Sequence, residues 1–311
     1  MAAAGTLAMR HSSFADPQQT QAAASPAQPQ NMLQAMRAAG SASAVQTMKL
    51  TDTIFMLQGV GGNMAVQIGP DGKLLIDSSV ATASHTILQA LGKIGPHPLK
   101  LLINTCWLFD HTDGNAAMHA AGAFIIAQEN TRLRLSTAQT LKLFNLSFPP
   151  SPTEALPNLT FPEEADLYFD NDKLDLVHMP NARTDSDIFV HFENANVIHM
   201  GDVWSNGSYP LIDGSSGGTI NGMIRGVDQV LGIADDRTKI VPGHGEPGGK
   251  RALQQYRDML TTVANRIEKL KISGQTLEQV IAAKPTADFD AVWSHGMMTP
   301  DMFVTVIYNT L

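Results

Sequence analysis

The chain is short of charge, of aromatic side chains and of cysteine. Only 16% of its 311 residues are charged, 6% are aromatic, and Cys106 is the single cysteine. One cysteine excludes an internal disulfide and leaves the redox compartment unmarked. Basic residues are in deficit too: 21 Lys and Arg face 29 Asp and Glu, a formal charge of −8. Nucleic-acid binding needs a basic patch to neutralise phosphates, so no nucleic-acid partner is expected. Long apolar runs are missing as well. None approaches the roughly 20 residues of a membrane-spanning helix, so no membrane span is expected. What the chain does have is 43% hydrophobic residues, enough for a sizeable core in one large domain or two small ones.

The N-terminal part differs from the rest. Residues 2–9 are small and apolar, Arg10-His11 follow, and Ser13 and Ala15 fit the small-residue rule for signal cleavage before Asp16. The basic start of such a signal is missing. Two readings follow: the remnant of an export signal, which places the protein in the periplasm or outside the cell, or an Ala-rich leader on a cytoplasmic protein. Residues 16–47, rich in Gln, Ala, Ser and Pro, read as a linker or partly disordered arm with one short helix over Asn31–Ala39. The folded domain is expected over residues 48–311, after a leader and linker over 1–47.

From Met48 the pattern changes. Short β-branched and apolar runs predict strands at Ile54–Leu57, Met64–Ile68, Leu74–Asp77, Lys100–Asn104 and Phe124–Ala127. A helix is predicted over Ala83–Gly92, ended by its glycine, and another near Asn115–Ala121. An irregular helical region follows to about residue 147, where Pro149, Pro150, Pro152 and Pro157 break helical structure. Further strands are expected at Leu167–Phe169, Leu174–His178, Ile188–Phe192, Val197–Met200 and Lys239–Val241. Helices are expected over 220–232 and 250–273. Strands then helices, twice over, suit an α/β four-layer αββα sandwich.

The segment Asn104-Thr105-Cys106-Trp107-Leu108-Phe109-Asp110-His111 has the outline of a metal-binding turn at the end of a strand, and Thr112-Asp113-Gly114-Asn115 leaves it. It resembles the Thr-His-x-His-x-Asp-His motif of the metallo-β-lactamase superfamily. Four further segments resemble that superfamily in the same order: Gly62-Asn63 with Ile76-Asp77-Ser78; His178 to Asp187; Ile198-His199-Met200-Gly201-Asp202; and Pro242-Gly243-His244-Gly245. The resemblance covers roughly residues 48–311 and implies the αββα fold.

The resemblance also divides the ligands. In two-metal members the first metal takes two histidines of the motif and a third downstream; here those positions hold Cys106, Leu108 and Arg183. The second metal takes the positions of Asp110, His111, Asp202 and His244, all of ligating type. The implied cofactor is therefore one Zn²⁺ or Fe²⁺, with the other site lost. Two imidazoles and two carboxylates suit either ion and leave room for water, whose pKa the metal lowers toward neutrality. Leu108 cannot ligate, and Arg183 stays protonated. Arg183 is expected to pair with Asp202 or a substrate anion in partial replacement of the missing cation, and Asp110 to orient water. Cys106 has three readings: a soft ligand joining the single metal, a nucleophile activated by nearby cations, or a small buried residue in place of a histidine. Trp107 and Phe109 are expected to pack at the turn. His85, His97, His119, His191, His199 and His295 are expected to be structural or surface residues, and Ser215-Ser216-Gly217-Gly218 a loop near the site mouth. Tyr209-Pro210 and its apolar neighbours are candidates to line a substrate pocket.

The function implied is hydrolysis of a small ester, lactone, thioester or lactam by metal-bound hydroxide, with Asp110 and Arg183 as candidate catalytic residues. The alternative is a non-catalytic relative that keeps the fold and binds a ligand, partner or structural metal. Fold alone does not separate the two.

Overall fold

In a computed structural model, Met1 and residues 29–311 are described. The export-signal reading concerns residues that lie outside these. The strands are β1 (Gln46–Lys49), β2 (Ile54–Gln58), β3 (Met64–Gly69), β4 (Gly72–Ile76), β5 (Leu99–Asn104), β6 (Phe124–Gln128), β7 (Gln139–Leu141), β8 (Leu146–Phe148), β9 (Leu159–Phe161), β10 (Glu164–Phe169), β11 (Asp172–His178), β12 (Ile188–Phe192), β13 (Val197–His199) and β14 (Lys239–Val241). The α-helices are α1 (Pro29–Ala42), α2 (Ser84–Ile94), α3 (Phe109–Thr112), α4 (Asn115–Ala120), α5 (Glu129–Leu135), α6 (Ile220–Ile233), α7 (Lys250–Ile272), α8 (Leu277–Ala282), α9 (Asp290–Trp293) and α10 (Pro300–Thr310). None of them is long and apolar enough to cross a membrane.

Two sheets carry the fold. One has seven strands in the order β1-β2-β3-β4-β5-β6-β9, the other five in the order β10-β11-β12-β13-β14. The sequence explains their different faces. β11 alternates strictly between buried and half-buried residues, as a strand with one face in the core should. All five residues of β4 are buried, because it pairs in parallel with β5 and is covered on both faces. Between the sheets lies a core that includes Ile54, Ile76, Ile103, Leu174, Val190 and Phe192. Outside the first sheet, α2 packs Ile87 and Leu91 against Leu75 and Leu102. Outside the second, α6, α7 and α10 bury Val227, Tyr256, Leu260 and Phe303. In α7 the buried residues Leu253, Tyr256, Leu260, Val263 and Ile267 recur every three or four positions, the stripe of a helix laid on a sheet. Helix, sheet, sheet, helix is the expected four-layer sandwich.

Some local expectations differ from what is found. α2 runs through Gly92 and stops at Ile94 before Gly95-Pro96; an exposed glycine weakens a helix without ending it. The expected irregular helical region includes a hairpin, β7 paired with β8. β1 straddles the expected end of the linker at residue 47, and all four of its residues are exposed. It is held by backbone pairing with β2, which leaves no apolar alternation to read.

Candidate metal centre

The centre sits at one edge of the two sheets, where strand ends from both meet. β5 ends at Asn104, and the turn after it leads into the short α3, which carries Asp110 and His111. β13 ends at His199, and Asp202 follows within one turn. His244 follows β14. A fourth strand end adds Asp77, directly after β4, in left-handed backbone with φ 61°.

Asp77 is fully buried and sets the geometry. One carboxylate oxygen accepts from the Thr105 amide (2.8 Å), and the other from Thr105 Oγ1 (2.7 Å). The second oxygen also lies 2.7 Å from His111 Nδ1. Holding Nδ1 fixes the ring and leaves Nε2 facing the centre, the arrangement that orients ligating imidazoles. The His111 side chain has no solvent exposure, and its Nε2 lies 3.0 Å from Asp202 Oδ2 and 3.8 Å from Asp110 Oδ2. His244 Nε2 lies 3.2 Å from Asp110 Oδ2 and 3.3 Å from Asp202 Oδ1. Its side chain is 37% exposed, so this is the open side of the centre. The ligand atoms of Asp110, His111, Asp202 and His244 all lie within 4.8 Å of one another. His111 Nε2 and both carboxylate oxygens of Asp202 are buried, and they face the charged groups of this cluster.

Close backbone contacts make this density possible. A Cβ at Gly62 would lie 2.3 Å from His111 Cε1, and one at Gly243 would lie 2.0 Å from Asp202 Oδ1. Only glycine fits at either position. Asn63 ties their two loops together, donating from Nδ2 to the carbonyls of Pro242 (3.0 Å) and Gly245 (2.8 Å).

Cys106, Leu108 and Arg183, which the sequence resemblance set against the first-metal histidines, take a different course. Arg183 is 5% exposed, and its Nη1 lies 2.5 Å from Asp202 Oδ2. Cys106 is fully buried, with Sγ 3.9 Å from the same Nη1. It stands outside the four-residue group and packs instead with Trp107, Leu108, Leu141, Leu146 and Leu33 of α1. Burial pushes the Cys106 thiol well up, against the opposing pull of His111 and Arg183. The thiol therefore stays protonated, which disfavours the nucleophile reading.

The charges respond to one another. Burial opposes ionisation of Asp202, but Arg183, His111 and His244 overcome it and hold its carboxyl well below the usual range. Asp110 is likewise lowered, against burial, by His111 and by the hydrogen bond with His244. Burial pulls the histidines down, but Asp202 wins: His111 is raised well above its ordinary value, and His244 to about 9. Asp187, beside Arg183 in the same turn, is pushed up to about 6 by burial, despite hydrogen bonds from Thr184.

A cleft of about 270 Å³ opens onto Asp110, Arg183, Asp202 and His244. Its walls include Tyr209 and Leu211, as the sequence indicated, and also Met36, Phe144 and Met298. These three lie in segments with no motif, and only tertiary packing brings them here. The Ser215–Gly218 loop is not at this mouth. It borders a separate cleft with Thr305 and Asn309 of α10, because Asp213 caps the turn by accepting from the Ser215 amide at 3.0 Å. Trp107 and Phe109 pack against Phe148, edge-on and stacked respectively. His85, His97 and His295 are exposed. His199 is buried, and the Gly201 amide donates to its Nδ1 at 3.1 Å.

No protein-family model matches the chain, and no curated protein does. Solved structures do. A metallo-beta-lactamase from Pontibacter korlensis superposes with a TM-score of 0.58 at 15% identity, covering 70% of this chain and 99% of that one. The DIM-1 metallo-beta-lactamase superposes at 0.57 with 17% identity over 70% of this chain and 98% of its own. A stereoselective inverting sec-alkylsulfatase, Pisa1 from Pseudomonas sp., superposes at 0.64 with 18% identity over 85% of this chain. The chain spans about half the length of that sulfatase.

Proposed function

From its metallo-β-lactamase fold and its centre, we propose that this chain is a hydrolase with one metal site, acting on an ester, lactone, thioester or lactam. The observation that carries the reading is the convergence of four ligating atoms, from Asp110, His111, Asp202 and His244, within 4.8 Å of one another. Two carboxylates and two imidazoles so placed are a donor set that a divalent cation such as Zn²⁺ or Fe²⁺ fits. Charge supports a single ion. Asp77, Asp110 and Asp202 bring three negative charges and Arg183 returns one positive. With neutral histidines two negative charges remain, which one divalent cation balances and a second would overshoot by two.

When bound, such a metal makes water acidic enough to act as a nucleophile near neutral pH. The chain's own groups do the rest. Asp77 fixes the His111 ring through Nδ1. Asp110 borders the open cleft, where its carboxylate can orient water and accept a proton. Arg183 neutralises Asp202 and keeps a fixed positive charge at the cleft floor, where an oxyanion would develop. The apolar walls limit the water around the reacting bond.

A second reading rests on the same ion pair. With both histidines protonated, Arg183, His111 and His244 balance Asp77, Asp110 and Asp202, and the site is neutral without metal. That state suits a non-catalytic binding protein. Metal analysis of purified protein, prepared with zinc or iron(II) in excess, separates the two. One equivalent, lost on His244→Ala, supports the hydrolase, and chromogenic esters and lactams then test turnover. No bound metal in the parent protein sinks it.

A further inference from the structure

Helix α1 occupies a stretch whose composition reads as linker, yet one face of it is built into the site. Leu33, Met36, Arg37 and Gly40 recur at i, i+3, i+4 and i+7, and so share that face. Each meets a different part of the domain. Leu33 is buried against the Cys106, Trp107 and Leu108 cluster. Arg37 donates from Nε (3.1 Å) and Nη2 (2.7 Å) to Asp113, two residues beyond His111. Asp113 also accepts from the Ala81 amide at 2.9 Å. Gly40 passes so close to the chain before α2 that a Cβ there would lie 2.5 Å from Thr82 Oγ1 and 2.6 Å from Val80 Cγ2. Met36, between these anchors, borders the cleft above Asp110, Arg183, Asp202 and His244.

The cleft is thus divided in character. Its floor is charged; its walls are thioether, aromatic and aliphatic, with Met36, Phe144, Leu211 and Met298 contributing. A ligand that matches both has a polar reacting end and an apolar tail. We propose that α1 is a fixed wall of the substrate cleft and that Met36 sets the length of the apolar group a substrate can carry. The inference takes the reacting bond from the hydrolase reading above, but the wall itself is a property of binding. Methionine suits the position because its flexible, polarizable chain fills a gap without a rigid shape.

Deleting α1 would expose the apolar cluster under Leu33 and risk unfolding the chain, so point variants of the full chain make the test. Met36→Ala and Met36→Trp are compared with the parent on p-nitrophenyl acetate, butyrate and octanoate. In Met36→Ala, kcat/KM for octanoate relative to acetate rises on the order of tenfold, from the apolar contact added with each accommodated methylene. In Met36→Trp the ratio falls by a similar factor. Both changes appear mainly in KM, since the wall touches the tail and not the reacting bond. Free octanoate, titrated calorimetrically, follows the same order of affinity. An unchanged ratio and unchanged octanoate affinity in both variants, with parental melting temperatures, overturns the proposal. If the parent hydrolyses none of the esters, the ester part of the hydrolase reading fails and calorimetry alone judges the wall. Octanoate that binds parent and Met36→Trp alike, or binds neither, then overturns it.

Discussion

On one side of the centre, the polar side chains of Asp110, His111, Asp202 and His244 converge, with the His111 ring held by the buried carboxylate of Asp77. On the other side, Cys106 and Leu108 belong to an apolar cluster capped by Leu33, and Arg183 alone keeps a charge there. The first side holds two carboxylates and two imidazoles together inside the protein, which is costly unless their charges are balanced. The second has been closed as ordinary core, with its one charge tied to the first side. Cys106 and Leu108 thus leave no hole beside the four donors. They form a packed surface on which a helix from outside the sandwich sits.

The contrast can be broken at several points. The largest effect is expected for Asp202→Ala, which leaves Arg183 buried without its anion. Stripping one member from a buried pair costs about 3–5 kcal/mol, readable as a lower urea midpoint with the slope unchanged. A loss below about 1 kcal/mol would mean that the pair behaves as a surface ion pair. Next is Asp77→Asn, which keeps the shape but weakens the hold on His111 Nδ1. Metal affinity should fall about 10–100-fold, as for outer partners of ligating histidines, and calorimetric titration reads it. Unchanged affinity would show that packing alone orients the ring. The smallest effect is expected for Leu108→His. An imidazole among Cys106, Trp107 and Leu33 should cost about 1–3 kcal/mol and bring no second equivalent of metal. If a second equivalent did bind, the apolar side would still be a metal site missing its donors, and the contrast would fail.

The sandwich was legible because its elements carry strong periodicity. β11 and α7 follow their expected spans closely, since each buries one face and exposes the other. What escaped was structure made by pairing rather than by pattern. β1 has no buried residue to mark it, and β7–β8 sits among prolines with three residues to each strand. The four donors were visible as motif residues, and they do converge. Asp77 was visible only as an aspartate ending an apolar strand; its grip on Thr105 and His111 depends on a left-handed backbone that no residue type at that position announces. Met36 carries no chemical signal at all, because its place in the cleft is set by Arg37, Gly40 and Leu33 around it.

Asn63 has a consequence for the order of events in folding. Its contact with Pro242 joins positions 179 residues apart. The loop it reaches carries His244, while Asp110 and His111 follow the first sheet and Asp202 the second. A nascent chain that has completed only the seven-stranded sheet therefore holds half of a donor set and nothing to close it. Contacts of such sequence separation form late and slowly. Closure of the centre then becomes the last act of folding, and any ion or ligand it takes would stabilise only chains whose two halves have already met.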